Sequence, residues 1–405
     1  MSAKSFLKRQ KKKLKKRFDY SAKGRVNRVI DNPPPIEQDS IVFTSSVDYS
    51  GNPKALFLYM IDHGYNEKYR MTWIFEHPEN LFEFDIPNVK SVCMFNDKHE
   101  RTVEAQKAIM SARYIFYSHN VNWCKKFREG QKFIDLWHGG GYKGELVSDK
   151  RRIYFDHFMV TGKKDIEAYK KFLRAPDGDL LDLGYPRNEM LFSNRSEGRE
   201  LLKKLIADAG AGKSIIWLPT FRKSNVARLS TDTFLGDTDL PILYYEDMIK
   251  VFDDFCREQN VLLIVKQHFL QSDYRVSNDG LTNIMFLKDE FLRDNNADFY
   301  EFMADTDALI TDYSSVAIDY MLLDKPIGFT LDDYDKYEDV RGWAYDDVKA
   351  YMPGHHIYTM EDLKQFVIDV AEDKDPHKKW RGEITDELHT YKDGFSKRIL
   401  DYFGI

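Results

Sequence analysis

Short apolar runs of three to five residues alternate along this chain with stretches whose apolar positions recur every three or four residues. The runs Ile41–Phe43, Thr72–Phe75, Ser91–Phe95, Tyr114–Tyr117 and Phe133–Trp137 have the length and bulk of buried strands, and Arg101–Arg113 between two of them has a helical period. A helix is expected over Pro53–Ile61, where Pro53 sits in the first turn and loses no hydrogen bond. The series resumes with a helix over 196–209, strands over Ser214–Leu218, Val261–Val265, Ile284–Phe286 and Ala308–Thr311, and a helix over Tyr245–Glu258. Such alternation predicts parallel sheets wrapped by crossover helices, here as two Rossmann-like halves. Helices over Glu361–Ala371 and Glu387–Phe403 close the chain, the last packing back on the first half. His355 and His356, after Pro353-Gly354, are expected in a loop.

The stretch Ala308–Ile327 is the most informative. An apolar strand leads into Asp312-Tyr313-Ser314-Ser315, then into a helix over Val316–Leu323 that is stopped before Pro326. Ser314 and Ser315 therefore stand where helical N–H groups lack partners and the helix dipole is positive, a setting that favours a phosphate. The alternative is that one serine simply caps the helix.

Composition fits this architecture. With 405 residues, 42% apolar and 31% charged, the chain suits two globular domains. Its longest apolar runs, such as Ala55–Ile61, fall far short of the roughly 18 residues that span a bilayer. Cys93, Cys124 and Cys256 match neither a zinc spacing nor a disulfide framework, which suggests reduced thiols and a cytoplasmic setting. Residues 1–17 carry nine basic side chains and no acid, so a total charge of −6 leaves −15 for the rest. Leu7, Leu14 and Phe18 would give a helix there a thin apolar stripe, the pattern of an anchor on an anionic membrane. A solvated tail and a nucleic-acid arm are the other readings. Pro33-Pro34-Pro35 is a stiff linker. The expected division is a basic arm and linker (1–39), a first Rossmann-like domain (40–195), a second Rossmann-like domain (196–375) and a C-terminal helix (376–405).

Candidate chemistry gathers at strand ends, where open α/β sheets bind ligands. Phe133–Trp137 leads into His138-Gly139-Gly140-Gly141-Tyr142-Lys143-Gly144, in which Glu145 stands where a nucleotide-triphosphate loop would need Lys. His138 is a candidate general base or a turn histidine. Thr220 and Arg222 follow one strand, Lys266 and His268 a second, Ser314 and Ser315 a third. Together they form a donor set suited to a diphosphate. No metal constellation competes, and no Gly-x-Ser-x-Gly elbow supports a serine triad.

Trp137-His138-Gly139, Trp217-Leu218-Pro219-Thr220-Phe221-Arg222, Lys266-Gln267-His268, Thr311-Asp312-Tyr313-Ser314-Ser315 and Tyr337 to Arg341-Gly342 resemble the ordered motifs of the CDP-glycerol glycerophosphotransferases, the teichoic-acid primases and polymerases. Asn52-Pro53-Lys54-Ala55-Leu56 and Gly184-Tyr185-Pro186-Arg187-Asn188 are similar to that family too. The resemblance implies a GT-B-like pair of Rossmann domains with the site in the cleft between them. It implies an enzyme that moves glycerol phosphate, or a related alditol phosphate, from a CDP-alditol to a lipid-linked or polymeric teichoic-acid or capsule acceptor, releasing CMP.

His138 would be the base and His268 would assist the phosphates. Thr220, Arg222, Lys266, Ser314 and Ser315 would bind the diphosphate, and Asp319, Lys143 and Arg341 are candidates for ribose or acceptor hydroxyls. The resemblance calls for no cofactor or metal, and places the protein peripherally on the cytoplasmic face of the membrane through residues 1–20, without nucleic acid. The family usually continues with a Thr-Pro-Leu-Lys-like segment, where this chain has Gly140-Gly141-Tyr142-Lys143, and Phe269 stands where proline is common. Glycerol against ribitol, primase against polymerase, the acceptor and the oligomeric state stay open. The rival readings are a sugar-nucleotide glycosyltransferase or 2-epimerase of the same fold, and a non-catalytic polyanion- or membrane-binding module.

Overall fold

The computed structural model describes residues 21–45, 47–119, 128–144, 155–173, 180–193, 196–220, 236–267 and 276–405. The first sheet contains β1 (Glu37–Thr44), β2 (Arg70–Phe75), β3 (Val89–Cys93), β4 (Ala112–Tyr117), β5 (Lys132–Asp135), β6 (His157–Met159) and β7 (Leu180–Leu181). The second contains β8 (Lys213–Leu218), β9 (Val261–Val265), β10 (Ile284–Phe286), β11 (Ala308–Thr311), β12 (Ile327–Thr330) and β13 (His355–Ile357). Their orders are β3-β2-β1-β4-β5-β6-β7 and β10-β9-β8-β11-β12-β13, and neighbouring strands run parallel. In each sheet the order reverses beside the first strand, between β1 and β4 and between β8 and β11. Crevices open at such points, outside the carboxyl ends of the strands.

The apolar runs are continuous because each sheet is covered on both faces. Alternate residues of β1 serve different cores: Ile41 and Phe43 pack with Trp73, Phe116 and Phe57, while Val42 packs with Ile74, Ile115 and Ile109. In the second sheet Ile216 and Leu309 face one core, and Ile215, Trp217 and Ile310 the other.

The structure corrects three expectations. The folded body begins before residue 40, because Ala22–Asp31 is a helix whose Ala22, Val26 and Val29 are buried and pack toward the helix Val103–Ser111. Ser21 caps it by accepting from Gly24 N at 3.0 Å. His355 and His356 lie in a strand, β13, paired with β12. Three residues after Pro-Gly carry too little apolar pattern to announce a strand, and sheet pairing decides it.

The final helix is two helices, Lys378–Leu388 and Phe395–Phe403. Between them the chain crosses from the second sheet to the first. His389 donates through Nε2 to Ile318 O at 2.9 Å, Thr390 N donates to Thr161 O at 3.1 Å, and Gly394 at φ 62° starts the new helix. That helix buries Ile399 and Leu400 fully against the first sheet. Each such side chain contributes roughly 1.5–3 kcal/mol.

Candidate active site

The segment after β5 is held at almost every backbone position. Trp137 takes φ 52°, a left-handed conformation that is costly for a bulky residue and persists only where its surroundings impose it. Asp135, fully buried with its carboxyl pushed well above the ordinary range by desolvation, accepts from Trp137 N at 2.8 Å. Four successive carbonyls then accept from side chains. Asn52 Nδ2 donates to Leu136 O and Trp137 O, both at 2.9 Å, Arg187 Nη1 donates to His138 O at 2.6 Å, and Tyr169 OH donates to Gly139 O at 3.0 Å. Trp137 Nε1 in turn donates to Tyr169 OH at 2.9 Å. A loop held this way keeps His138 in one place without reorganisation.

Asn52 opens the helix Gly51–Asp62 at the carboxyl end of β1, and its Oδ1 accepts from Arg187 N at 3.1 Å. Arg187 stands in the 3-10 turn Pro186–Phe192, where Pro186 occupies the tolerated first position. Its guanidinium reaches across to the second sheet. Nη2 pairs with Asp319 Oδ2 at 2.5 Å, and Tyr300 OH donates to the same oxygen at 2.8 Å. Asp319 lies on the helix Val316–Met321 that comes after Ser314 and Ser315. One buried ion pair thus ties the His138 loop to the serine-bearing helix.

Two glycines let the elements meet. A Cβ at Gly139 would lie 2.5 Å from Ser315 Oγ and 2.7 Å from Arg187 Nη2, and one at Gly140 would lie 2.5 Å from Asp165 Oδ2. Asp165 is itself buried and accepts from Thr161 Oγ1 at 2.6 Å and Tyr345 OH at 2.7 Å. Of the residues that depart from the Thr-Pro-Leu-Lys-like pattern, Gly140 has a steric reason, since a side chain there would collide with Asp165.

Several of the expected site residues come together. His138 is half-buried beside Trp137 and stacks on His119. Gly139 next to it touches Ser315, so the two edges meet at these residues. Ser315 precedes its helix with φ −61° and ψ −17° and makes no capping bond, while Ser314 Oγ accepts from Val316 N at a long 3.5 Å. Thr220 N donates to Asp312 Oδ2 at 2.9 Å, which joins the ends of β8 and β11 across the switch point. Lys143 pairs by backbone with Trp343, and Gly144 N donates to Gly342 O at 2.9 Å, so Lys143 and Arg341 come together where the glycine loop meets residues 342–344.

Three expectations change. Thr220 is buried and gives both its N and its Oγ1 to the Asp312 carboxylate. Lys266 is engaged with Asp289, Nζ to Oδ1 2.8 Å, and lies 5.1 Å over the Phe299 ring. Asp319, expected near hydroxyl groups of a ligand, is 1% exposed and occupied with Arg187 and Tyr300. Arg222, His268, residues 1–20 and most of the long loop that the Ser, Thr, Asp and Gly content of Asn225–Pro241 predicts lie outside the described residues.

Asn52, Arg187, His119 and Tyr169 carry the site without having been singled out for it. The only signal was motif position, Asn52 at the head of the first expected helix and Arg187 after Gly-Tyr-Pro. Among the described residues no group of three or more His, Cys, Asp or Glu side chains could hold a metal ion, and Cys93 and Cys256 are free thiols.

A family model described as CDP-glycerol:poly(glycerophosphate) glycerophosphotransferase matches residues 28–403. The chain is 27% identical over 381 residues to a teichoic acid poly(glycerol phosphate) polymerase of Staphylococcus epidermidis, covering 88% of this chain but 47% of that protein. It is 26% identical over 352 residues to one from Bacillus spizizenii, covering 81% and 83%. A teichoic acid ribitol-phosphate polymerase, TarL of Staphylococcus aureus, matches at 22% over 385 residues, covering 89% and 61%. The fold is shared with the wall teichoic acid polymerase TagF, with a TM-score of 0.73, 20% identity, and coverage of 100% of this chain and 98% of that one.

Proposed function

The chain belongs to the CDP-glycerol:poly(glycerophosphate) glycerophosphotransferase family, and on that premise we propose that it transfers glycerol phosphate from CDP-glycerol to a hydroxyl of a teichoic-acid-type acceptor. The observation that carries this reading is the meeting of the braced His138 loop with Ser315, at the carboxyl edges of two parallel sheets. One edge offers a proton acceptor, the other hydroxyl and backbone donors at a strand-to-helix turn.

In this reading the acceptor hydroxyl gives its proton to the His138 imidazole as its oxygen bonds to the β-phosphorus. The bond from that phosphorus to the bridging oxygen breaks, and CMP leaves with the electron pair. Ser314 and Ser315 would stabilise the charge that builds on the diphosphate, together with Arg222 and His268, and Thr220 only by turning its hydroxyl from Asp312. Lys266 takes part only by exchanging Asp289 for a phosphoryl oxygen. Residues 40–195 would present the acceptor and 196–375 the donor.

Membrane contact is assigned to the nine basic side chains of residues 1–17. Among the described residues no helix is long and apolar enough to cross a membrane. The match to a ribitol-phosphate polymerase makes CDP-ribitol the second donor reading.

The test is a label balance. With CDP-glycerol labelled in the glycerol and a lipid-linked glycerol-phosphate acceptor, label should enter the acceptor one for one with CMP released. Label appearing only as free glycerol phosphate would make the protein a hydrolase and end the transferase reading.

A further inference from the structure

His119 stands two residues beyond the end of β4, beside the switch point, and takes φ 68°. Its ring lies face to face with that of His138, centroids 3.7 Å apart and planes 2° from parallel. Trp137 approaches the same ring at 6.1 Å, and the Ser118 hydroxyl lies 3.4 Å from Nδ1. His138 therefore has an imidazole against one face and, 3.9 Å away, the Trp137 indole. The backbone contacts from Asn52, Arg187 and Tyr169 fix where the loop runs, but none of them sets the rotation of the His138 ring about its side-chain bonds.

We infer that His119 is a positioning residue for the proposed reaction, its stacked ring setting the plane in which the His138 imidazole meets the acceptor hydroxyl. The inference rests on His138 being the base. A parallel imidazole at this distance leaves His138 little freedom to tip, and a general base works only within hydrogen-bond reach of the proton it takes.

The pair also restricts charge. Two imidazolium rings 3.7 Å apart would repel strongly, so His138 accepts a proton readily only while His119 is neutral. Burial, and then the Arg187 guanidinium, push His119 down to about 4. The other titratable groups near the pair in the described structure do not offset this. Asp135, below the loop, is held toward its neutral form by burial, and Asp319 is paired with Arg187. His119 is therefore a neutral surface for His138 at any pH near 7.

The test uses the full chain with two variants. His119→Asn removes the ring and tolerates the left-handed backbone, while His119→Phe restores a flat ring that cannot titrate. For His119→Asn we expect kcat to fall about tenfold, equivalent to about 1.4 kcal/mol, with donor KM within about twofold of wild type on the same scale. His119→Phe should recover most of that loss.

In histidine-labelled NMR spectra, which also report folding, the His138 titration midpoint should move in His119→Asn. The His119 signal of the wild type should show no protonation down to about pH 5, consistent with its displacement to about 4. Unchanged kcat and an unchanged His138 midpoint in His119→Asn would overturn the inference, as would a His119→Phe protein that is folded yet no better than His119→Asn. Failure of the base reading looks different: His138→Ala would then keep its turnover, whatever the two rings do in the spectra.

Discussion

His138→Ala should lower turnover of CDP-glycerol by about a hundredfold to ten-thousandfold, the usual range for loss of a general base. Donor KM should stay close to the wild-type value, because the groups assigned to the diphosphate lie on the other sheet. The fold should be intact. His138 is half-buried, and its loop is held through backbone carbonyls by Asn52, Arg187 and Tyr169, none of which needs the imidazole. The acid limb of the pH–rate profile should vanish with the side chain, since protonation of His138 is what would shut the reaction off as pH falls. Steady-state kinetics of CMP release on the folded variant checks this. A variant within a few-fold of wild type would assign the proton to another group.

The second large effect concerns the ion pair beneath the site. Arg187 and Asp319 side chains are 11% and 1% exposed, so removing either leaves the other charge buried without its partner. Arg187→Ala and Asp319→Ala should each cost about 3–5 kcal/mol of stability, read from urea denaturation. The paired change Arg187→Met with Asp319→Asn removes both charges at similar volume and keeps an acceptor for Tyr300, so most of that stability should return. Activity should not return with it. Arg187 also donates to His138 O and is itself held by Asn52, so without it the base loop shifts. A displacement of about 1 Å is enough to cost on the order of a hundredfold in rate. A stable double variant with near-normal turnover would show that the pair holds the fold together and does nothing for the geometry of His138.

Much of this architecture is written in the chain because each parallel strand is covered on both faces. Ile41 to Phe43, Trp73 to Phe75 and Val261 to Val265 are buried without interruption, so the strands appear as plain apolar runs. Within β6, β7, β12 and β13 no unbroken apolar run of three residues stands out, and these strands exist because a neighbouring strand pairs with them. The helix Ala22–Asp31 was hidden by Lys23, Arg25 and Arg28, whose charges mask the spacing of Ala22, Val26 and Val29. The break at 389–394 reflects the distance between the two sheets, which no local periodicity records.

The site divides in the same way. The placement of His138, Thr220, Ser314 and Ser315 was legible because a parallel sheet brings the residues just past its strands to one edge. The bracing was not. Arg187 meets Asn52 across 135 positions of sequence and Asp319 across 132, and nothing in either segment announces the partner. Lys266 was legible as a cation at a strand end, but its engagement with Asp289 depends on where the helix Asp289–Asp294 starts after β10.

The most direct test of the central claim is donor discrimination. The purified chain would be supplied with CDP-glycerol, CDP-ribitol or UDP-N-acetylglucosamine, each with the same lipid-linked glycerol-phosphate acceptor, and nucleotide release followed in wild type and His138→Ala. The account predicts CMP from CDP-glycerol, lost in the variant, and no nucleotide from the UDP-sugar. Nucleotide release from UDP-N-acetylglucosamine alone, or equal CMP release by the two proteins, would contradict it.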